Sequence, residues 1–241
     1  SGFTLSTLAF LLVKGAWDQA GVWTSLTDAQ RAAHKTRLNN AGIKIIVSAF
    51  GATDTPTSSG TNPVDLANNF AAFVKKYNLD GIDVDYEDFD AFNRGTAEAW
   101  IISFTRQLRV QLPAPTYIIS HAPVAPWFVP NRWPGGGYLG IDKAVGSAID
   151  WYNIQFYNQG QNEYTTCNNL LQTSSNVWPQ SAVFQINKNG IPLSKIVIGK
   201  PTAGDASNGY IDPNTLAGCV GQAKNQGWIL ARLTELAPVK K

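Results

Sequence analysis

The segment richest in chemistry runs Leu79–Phe89, LDGIDVDYEDF. Side chains alternate across an extended chain, so Asp83, Asp85 and Glu87 share one face and Ile82, Val84 and Tyr86 the other. The apolar set suits packing against helices. The acidic set then faces an interior, where three carboxylates in single file are costly unless they share protons, hydrogen bonds or a ligand. Crowding of this kind raises at least one carboxyl pKa. Glu87, the outermost, is placed to keep a proton and donate it to a leaving oxygen. Asp85, one step deeper, holds or orients a polar substrate group, and Asp83 shares a proton with Asp85. Asp80, at the other end of the run, anchors structure.

Other chemistries are less well supplied. A D-x-D pair can hold Mg²⁺, but no further ligand set and no phosphate loop accompanies this one, so neither metal nor cofactor is expected. His121 in SHAPV reads as a satisfied core histidine, with hydrogen bonding behind the site as the alternative. His34 lies on a charged helical stretch and faces solvent. Cys167 and Cys219 are the whole thiol inventory. They form one disulfide or sit as buried thiols; their places near helix ends favour the disulfide, and a single pair does not fix the redox compartment.

These residues need elements to position them. Apolar runs rich in Ile, Val, Phe and Tyr recur at Thr4–Val13, Ile43–Gly51, Leu79–Glu87, Tyr117–Val124, Asp150–Tyr157 and Lys195–Pro201, with a weaker one after Gly227. Such runs suit strands buried on both faces. Between them, Asp28–Ala41, Asp65–Tyr77, Thr96–Leu112 and Pro213–Gln226 carry helical spacing, with Asp212 and Pro213 as a start signal for the last. Strands alternating with helices predict βα units in a parallel sheet. Eight units close a TIM (β/α)8 barrel of about 250 residues, whose chemistry sits at the strands' C-terminal ends. The expected fold is that α/β barrel, as a single catalytic domain over 1–241. The first run reads better as a second strand, which leaves the first βα unit upstream of Ser1. The alternative is an open doubly wound sheet, but no G-x-G-x-x-G or P-loop follows any run.

Composition narrows the class further. Of 241 residues, 44% are hydrophobic and 15% charged, with a net charge of +2. No Lys/Arg run exceeds a pair, so nucleic acid is not an expected partner. No stretch of about 18 apolar residues is present to span a membrane. The absence of a leader before Ser1 fits the mature start of a secreted chain, and an incomplete sequence would also explain the missing first strand.

Asp80-Gly81-Ile82-Asp83-Val84-Asp85-Tyr86-Glu87 reproduces D-G-x-D-x-D-x-E, the fourth-strand signature of glycoside hydrolase family 18, at every specified position. Ser48-Ala49-Phe50-Gly51 looks like that family's S-x-G-G motif with Phe for one Gly. Gln155-Phe156-Tyr157-Asn158 matches the Q-F-Y-N of its class III plant and fungal chitinases. The chain resembles this family over nearly its whole length, and most resembles the fungal members.

The resemblance implies hydrolysis of β-1,4 bonds next to N-acetylglucosamine, with retained configuration. The substrate's own acetamide oxygen acts as nucleophile, an exception to the two-carboxylate scheme. It implies Glu87 as general acid and then base, Asp85 positioning the acetamide N–H, Asp83 supporting Asp85, and Tyr157 donating to the acetamide carbonyl. Candidate substrate contacts are Phe10, Gln155, Asn158 and Trp127, the last in the Pro-rich loop APWFVPNRW. Core packing weighs at least as much for Phe10, Phe156 and Tyr152, and Tyr86 points toward helices. The implied partner is a chitin-like polymer or glycan met outside the cell, and the chain is expected to act as a monomer.

One departure stands out. The family has a floor Trp near the end of strand eight, whereas in Gly227–Lys241 (GWILARLTELAPVKK) Trp228 falls at the start of the expected strand and no Trp follows. Rival readings are an endo-β-N-acetylglucosaminidase, which cuts N-glycan cores with the same acids, and a chitinase-like lectin of weak or no activity.

Overall fold

The computed structural model describes residues 4–204, 207–228 and 233–236. Two compact units divide the chain: residues 1–121 with 145–150, and residues 122–144 with 151–241.

The first unit opens with β1 (Leu5–Leu12) and a short return strand, β2 (Gly15–Ala16), then α1 (Asp18–Ser25) and α2 (Asp28–Asn40). Thr27 and Gln30 cap α2 reciprocally, each side chain bonding the other's backbone N–H. Next come β3 (Lys44–Phe50), α3 (Pro63–Lys76), β4 (Gly81–Asp85), α4 (Phe89–Arg94), α5 (Ala97–Gln111) and β5 (Ile118–His121). The strand order is β2-β1-β3-β4-β5, parallel throughout except for the β1–β2 pair.

Helix α3 starts two residues earlier than the sequence pattern suggests. The Asn62 side chain accepts from the Val64 and Asp65 amides, and Pro63 takes the first turn, where no N–H is needed. Leu66, Phe70 and Val74 form its buried stripe. Together α3 and α5 bury an aromatic cluster of Phe50, Phe70, Trp100 and Phe104 against the sheet, with ring centroids 5.0–6.0 Å apart.

Gly81 is required by a close approach. A Cβ there would lie 2.1 Å from the Ile118 carbonyl oxygen on β5, so any side chain would drive the two strands apart. At the same end of β4, Asp80 accepts from the Ile45 amide at 2.9 Å and pairs with Lys35 at 3.0 Å. It is the structural anchor expected.

The second unit holds a 3₁₀ turn (Ala125–Phe128), α6 (Gly137–Val145, whose last residue is counted with the first unit), β6 (Trp151–Gln155), α7 (Cys167–Leu171), α8 (Val183–Lys188), β7 (Ile196–Pro201), α9 (Pro213–Asn225) and β8 (Leu233–Leu236). Strands β6, β7 and β8 run parallel in that order. Asp212 caps α9 by accepting from the Asn214 and Thr215 amides, 3.1 Å each. A disulfide joins Cys167 of α7 to Cys219 of α9. The sequence pattern overlooked the short helices α1, α4, α6, α7 and α8, most of which carry too few turns for a helical period to emerge.

No described helix is long and apolar enough to cross a membrane.

Candidate active site

The acidic run belongs to the first unit. Strand β4 ends at Asp85, and Glu87 sits in the turn beyond it, half-buried, while Asp83 and Asp85 are 5% and 6% exposed. The two faces separate as alternation requires. Ile82, Val84 and Tyr86 are fully buried, and Tyr86 packs among Phe50, Phe92 and Trp100 on the helix side.

Asp83 is the middle of a cross-strand row. Ser48 on β3 and Ser120 on β5 are its register partners. The Ser120 hydroxyl donates to Asp83 Oδ1 at 2.5 Å and the Ser48 hydroxyl to Oδ2 at 3.4 Å. Two hydroxyl donors lower the cost of burying this carboxylate. Ser120 was not singled out from the sequence. The signal was its place one residue before His121 on an apolar strand, a polar residue where the buried face of β5 must meet the acids.

His121 points the other way. It is fully buried, with Nε2 3.2 Å from the Thr105 hydroxyl on α5, and burial drives its pKa down to about 3. It is the satisfied core histidine of the sequence reading. His34 is half-buried beside Trp23 rather than solvent-facing, because the long Trp23 ring on α1 reaches over α2 at 6.4 Å.

The turn that carries Glu87 is tied on both sides. The Tyr86 hydroxyl donates to Thr57 at 2.6 Å, and the Asp88 carboxylate accepts from the Ser58 amide and hydroxyl, each at 2.6 Å. The loop after β3 is thereby fastened to both neighbours of Glu87.

That loop begins where this chain departs from the S-x-G-G pattern. Phe50 stands at a glycine position and adopts φ +76, followed by Gly51 at φ +79. A bulky residue in the left-handed region is a strained choice. The turn lets the Gly51 amide reach the Asp85 carbonyl at 2.8 Å. Phe10, half-buried, lies against Gly51, where an added Cβ would come 3.0 Å from its ring. Phe10, Ser48, Gly51, Asp83 and Asp85 therefore gather at one end of this sheet.

The remaining candidates lie in the second unit. Gln155 is 6% exposed, and its side-chain amide donates to the Ala122 carbonyl at 2.8 Å. Tyr157, 7% exposed, follows two residues on and shares its face. Asn158 is exposed at φ +57, a conformation Asn tolerates, and its amide donates to the Asn208 carbonyl at 3.0 Å. Trp127 needs correcting as a loop residue reaching a groove. The 3₁₀ turn buries it to 1% exposure, stacked on Tyr138 with centroids 6.0 Å apart, because the Pro-rich segment folds back as core. Tyr152 and Phe156 are core residues too, packed on Tyr138 and Tyr164 respectively.

Lys200 on β7 escaped the sequence reading. It is 1% exposed, and its ammonium donates to three carbonyls: Phe156 at 2.8 Å, Tyr164 at 2.6 Å and Gly209 at 2.8 Å. Burial pulls its pKa down to about 7, while the three acceptors favour the charged form. A second lysine, late in the apolar run KIVIGKP, was the available signal.

Trp228 is fully buried and donates to the Ile196 carbonyl at 3.0 Å. Since Ile196 begins β7, this Trp lies at the end of the strand away from Pro201 and is no floor for a sugar at the other end. Ile229–Arg232 and Ala237–Lys241, on which most of the strand-eight reading falls, lie outside the described residues.

An acidic run of this pattern on a parallel strand defines a class, and the comparisons agree with it. The model of the glycosyl hydrolases family 18 matches residues 2–229. The chain belongs to that family, and its fold class is the α/β TIM barrel. It is a chitinase-like glycoside hydrolase. Endochitinase 37 of Trichoderma harzianum is 26% identical over 92% of this chain and 71% of its own length. Endochitinase 4 of Metarhizium robertsii is 25% identical over 76% of this chain, which spans only 57% of that relative. Among solved structures, a GH18 chitinase from Pseudoalteromonas aurantia is 29% identical with a TM-score of 0.78, covering 96% of this chain and 85% of that one.

Proposed function

We propose that this chain hydrolyses β-1,4 links between N-acetylglucosamines in chitin or chitooligosaccharides, with retained anomeric configuration. The observation that carries the reading is the cross-strand row Ser48–Asp83–Ser120, with Asp85 two residues further along β4 and Glu87 in the half-buried turn beyond the strand. Asp83, held by two hydroxyls, is a fixed base for the file. Asp85 receives the acetamide N–H and balances positive charge at the reacting carbon. Glu87 in the half-buried turn gives its proton to the departing oxygen and later takes one from water. Tyr157 donates its hydroxyl to the acetamide carbonyl, whose oxygen attacks the anomeric carbon. Phe10, Gln155 and Asn158 are the proposed sugar contacts, while Trp127 is buried against Tyr138. The chitinase names of its relatives favour chitin over N-glycan cores, and such a substrate goes with secretion and work as a monomer.

The test offers the chain chitin oligomers and a high-mannose glycopeptide, following products by NMR, beside Glu87→Gln. Expected are β-anomeric products from the oligomers and a loss of about 10²–10⁴-fold in Glu87→Gln. Turnover of neither substrate would sink the proposal. Cleavage of the glycopeptide alone would move the substrate to N-glycan cores, and full turnover by Glu87→Gln would remove Glu87 from the acid role.

A further inference from the structure

Lys200 is a buried ammonium whose hydrogen-bond partners are all backbone oxygens on the loops around Tyr157. In register with β6, it projects from the face of the sheet that bears Ile154 and Phe156, not from the face of Gln155 and Tyr157. Its side chain therefore leaves the sheet on the side opposite to that of Tyr157. It grips the chain that carries Tyr157.

The grip is specific. The Phe156 carbonyl that Lys200 holds belongs to the peptide unit that ends in the Tyr157 nitrogen, and a planar peptide transmits that constraint to Tyr157. The Gly209 carbonyl, its second acceptor, belongs to a residue pressed against Tyr157, where an added Cβ would come within 2.8 Å of Tyr157 Cα. Gly209 also takes φ +94, which suits glycine. The third acceptor, Tyr164, stacks edge-on against Phe156 with centroids 5.2 Å apart. Two amides complete the clamp: Phe156 to the Gly199 carbonyl at 3.2 Å and Asn158 to the Asn208 carbonyl at 3.0 Å.

We infer that Lys200 is a positioning residue for the proposed reaction: its three hydrogen bonds draw the Phe156, Tyr164 and Gly209 loops onto one point and set the direction of the Tyr157 hydroxyl. The inference rests on the reading of Tyr157 given above. A lysine suits the task because an ammonium has three donors and no acceptor, matching three converging carbonyls. Its burial on the reverse of the sheet keeps the charge out of the reaction itself.

The test is a double-mutant cycle of Lys200→Met and Tyr157→Phe on chitin oligomers, with hydrogen exchange at the Phe156 and Asn158 amides. Lys200→Met is expected to lower kcat about 10- to 100-fold, with KM changed by less than about 3-fold, since a small misplacement of a reacting group costs about that much. In the Tyr157→Phe background the same change is expected to cost less than about 3-fold, because the two residues act as one unit. Exchange at both amides should quicken. Losses that multiply would make Lys200 a general stabiliser and overturn the inference. Should Lys200→Met not fold, Lys200→Gln retains two donors and is held to the same non-additivity. A wild-type chain without turnover would be a failure of the functional reading. The exchange arm tells the two apart, since unchanged exchange at the two amides overturns the role of Lys200 whatever the activity.

Discussion

Phe50 puts two opposing effects on one residue, and their sizes decide the outcome. Its backbone is held at φ +76, which costs a residue with a Cβ about 1–2 kcal/mol. Its ring is fully buried among Phe70, Tyr86, Trp100 and Phe104, and truncating such a ring costs about 3–5 kcal/mol. Restoring the family's glycine with Phe50→Gly therefore relieves the smaller term and forfeits the larger, for a net loss of about 1–4 kcal/mol. Phe50→Ala forfeits the packing and keeps the strain, so it should be less stable than Phe50→Gly by about 1 kcal/mol. That order reverses the usual one, since glycine inside regular structure is normally the worse of the two by about 0.5–1 kcal/mol. Urea unfolding followed by tryptophan fluorescence measures all three proteins. An alanine variant as stable as the glycine variant, or more so, would show that the left-handed turn carries no strain and refute the reasoning.

His121 gives a pH dependence. Burial lowers its folded-state pKa from 6.5 to about 3, so on acidification the unfolded chain takes up the proton first. Stability present at neutrality is then lost progressively as pH falls from 6.5 toward about 3, by about 3 kcal/mol at a pH of about 4.5. His121→Gln should flatten the difference in unfolding free energy between neutral and mildly acidic buffer by that amount, and an unchanged slope would acquit the histidine. Ser120→Ala removes the short bond to Asp83 and should cost about 1.5–3 kcal/mol in urea unfolding. Ser48→Ala removes one at the limit of hydrogen-bond geometry and should cost less than about 1 kcal/mol. The opposite ranking would mean that Asp83 leans on the other strand.

Much of this was legible in the sequence because alternation is strict. Asp83 and Asp85 fall on one face and Ile82, Val84 and Tyr86 on the other, as period two requires. The helix over Pro213–Asn225 announced itself by Asp212 and Pro213. What stayed hidden depended on neighbours that a linear pattern does not contain. Ser120 becomes meaningful only when β5 pairs with β4, and Lys200 only when three loops bring their carbonyls to it. Trp127 reads as a residue of a reaching loop because its surroundings are Pro-rich, while in the structure it is buried and stacked on Tyr138. Of the run after Gly227, Leu233–Leu236 is described as β8, and Trp228 is buried with its indole donating to the Ile196 carbonyl.

The glycine at the head of the acidic strand has a bearing on how relatives of this chain should be judged. Gly81 is dictated by the oxygen of Ile118, Asp80 by an amide and two lysines, and Asp83 by hydroxyls on either side. Selection for shape alone would preserve all three long after turnover had lapsed. A descendant that exchanged Glu87 for an uncharged side chain would keep the recognisable opening of the motif intact. Those first letters testify to ancestry, and the closing one to employment.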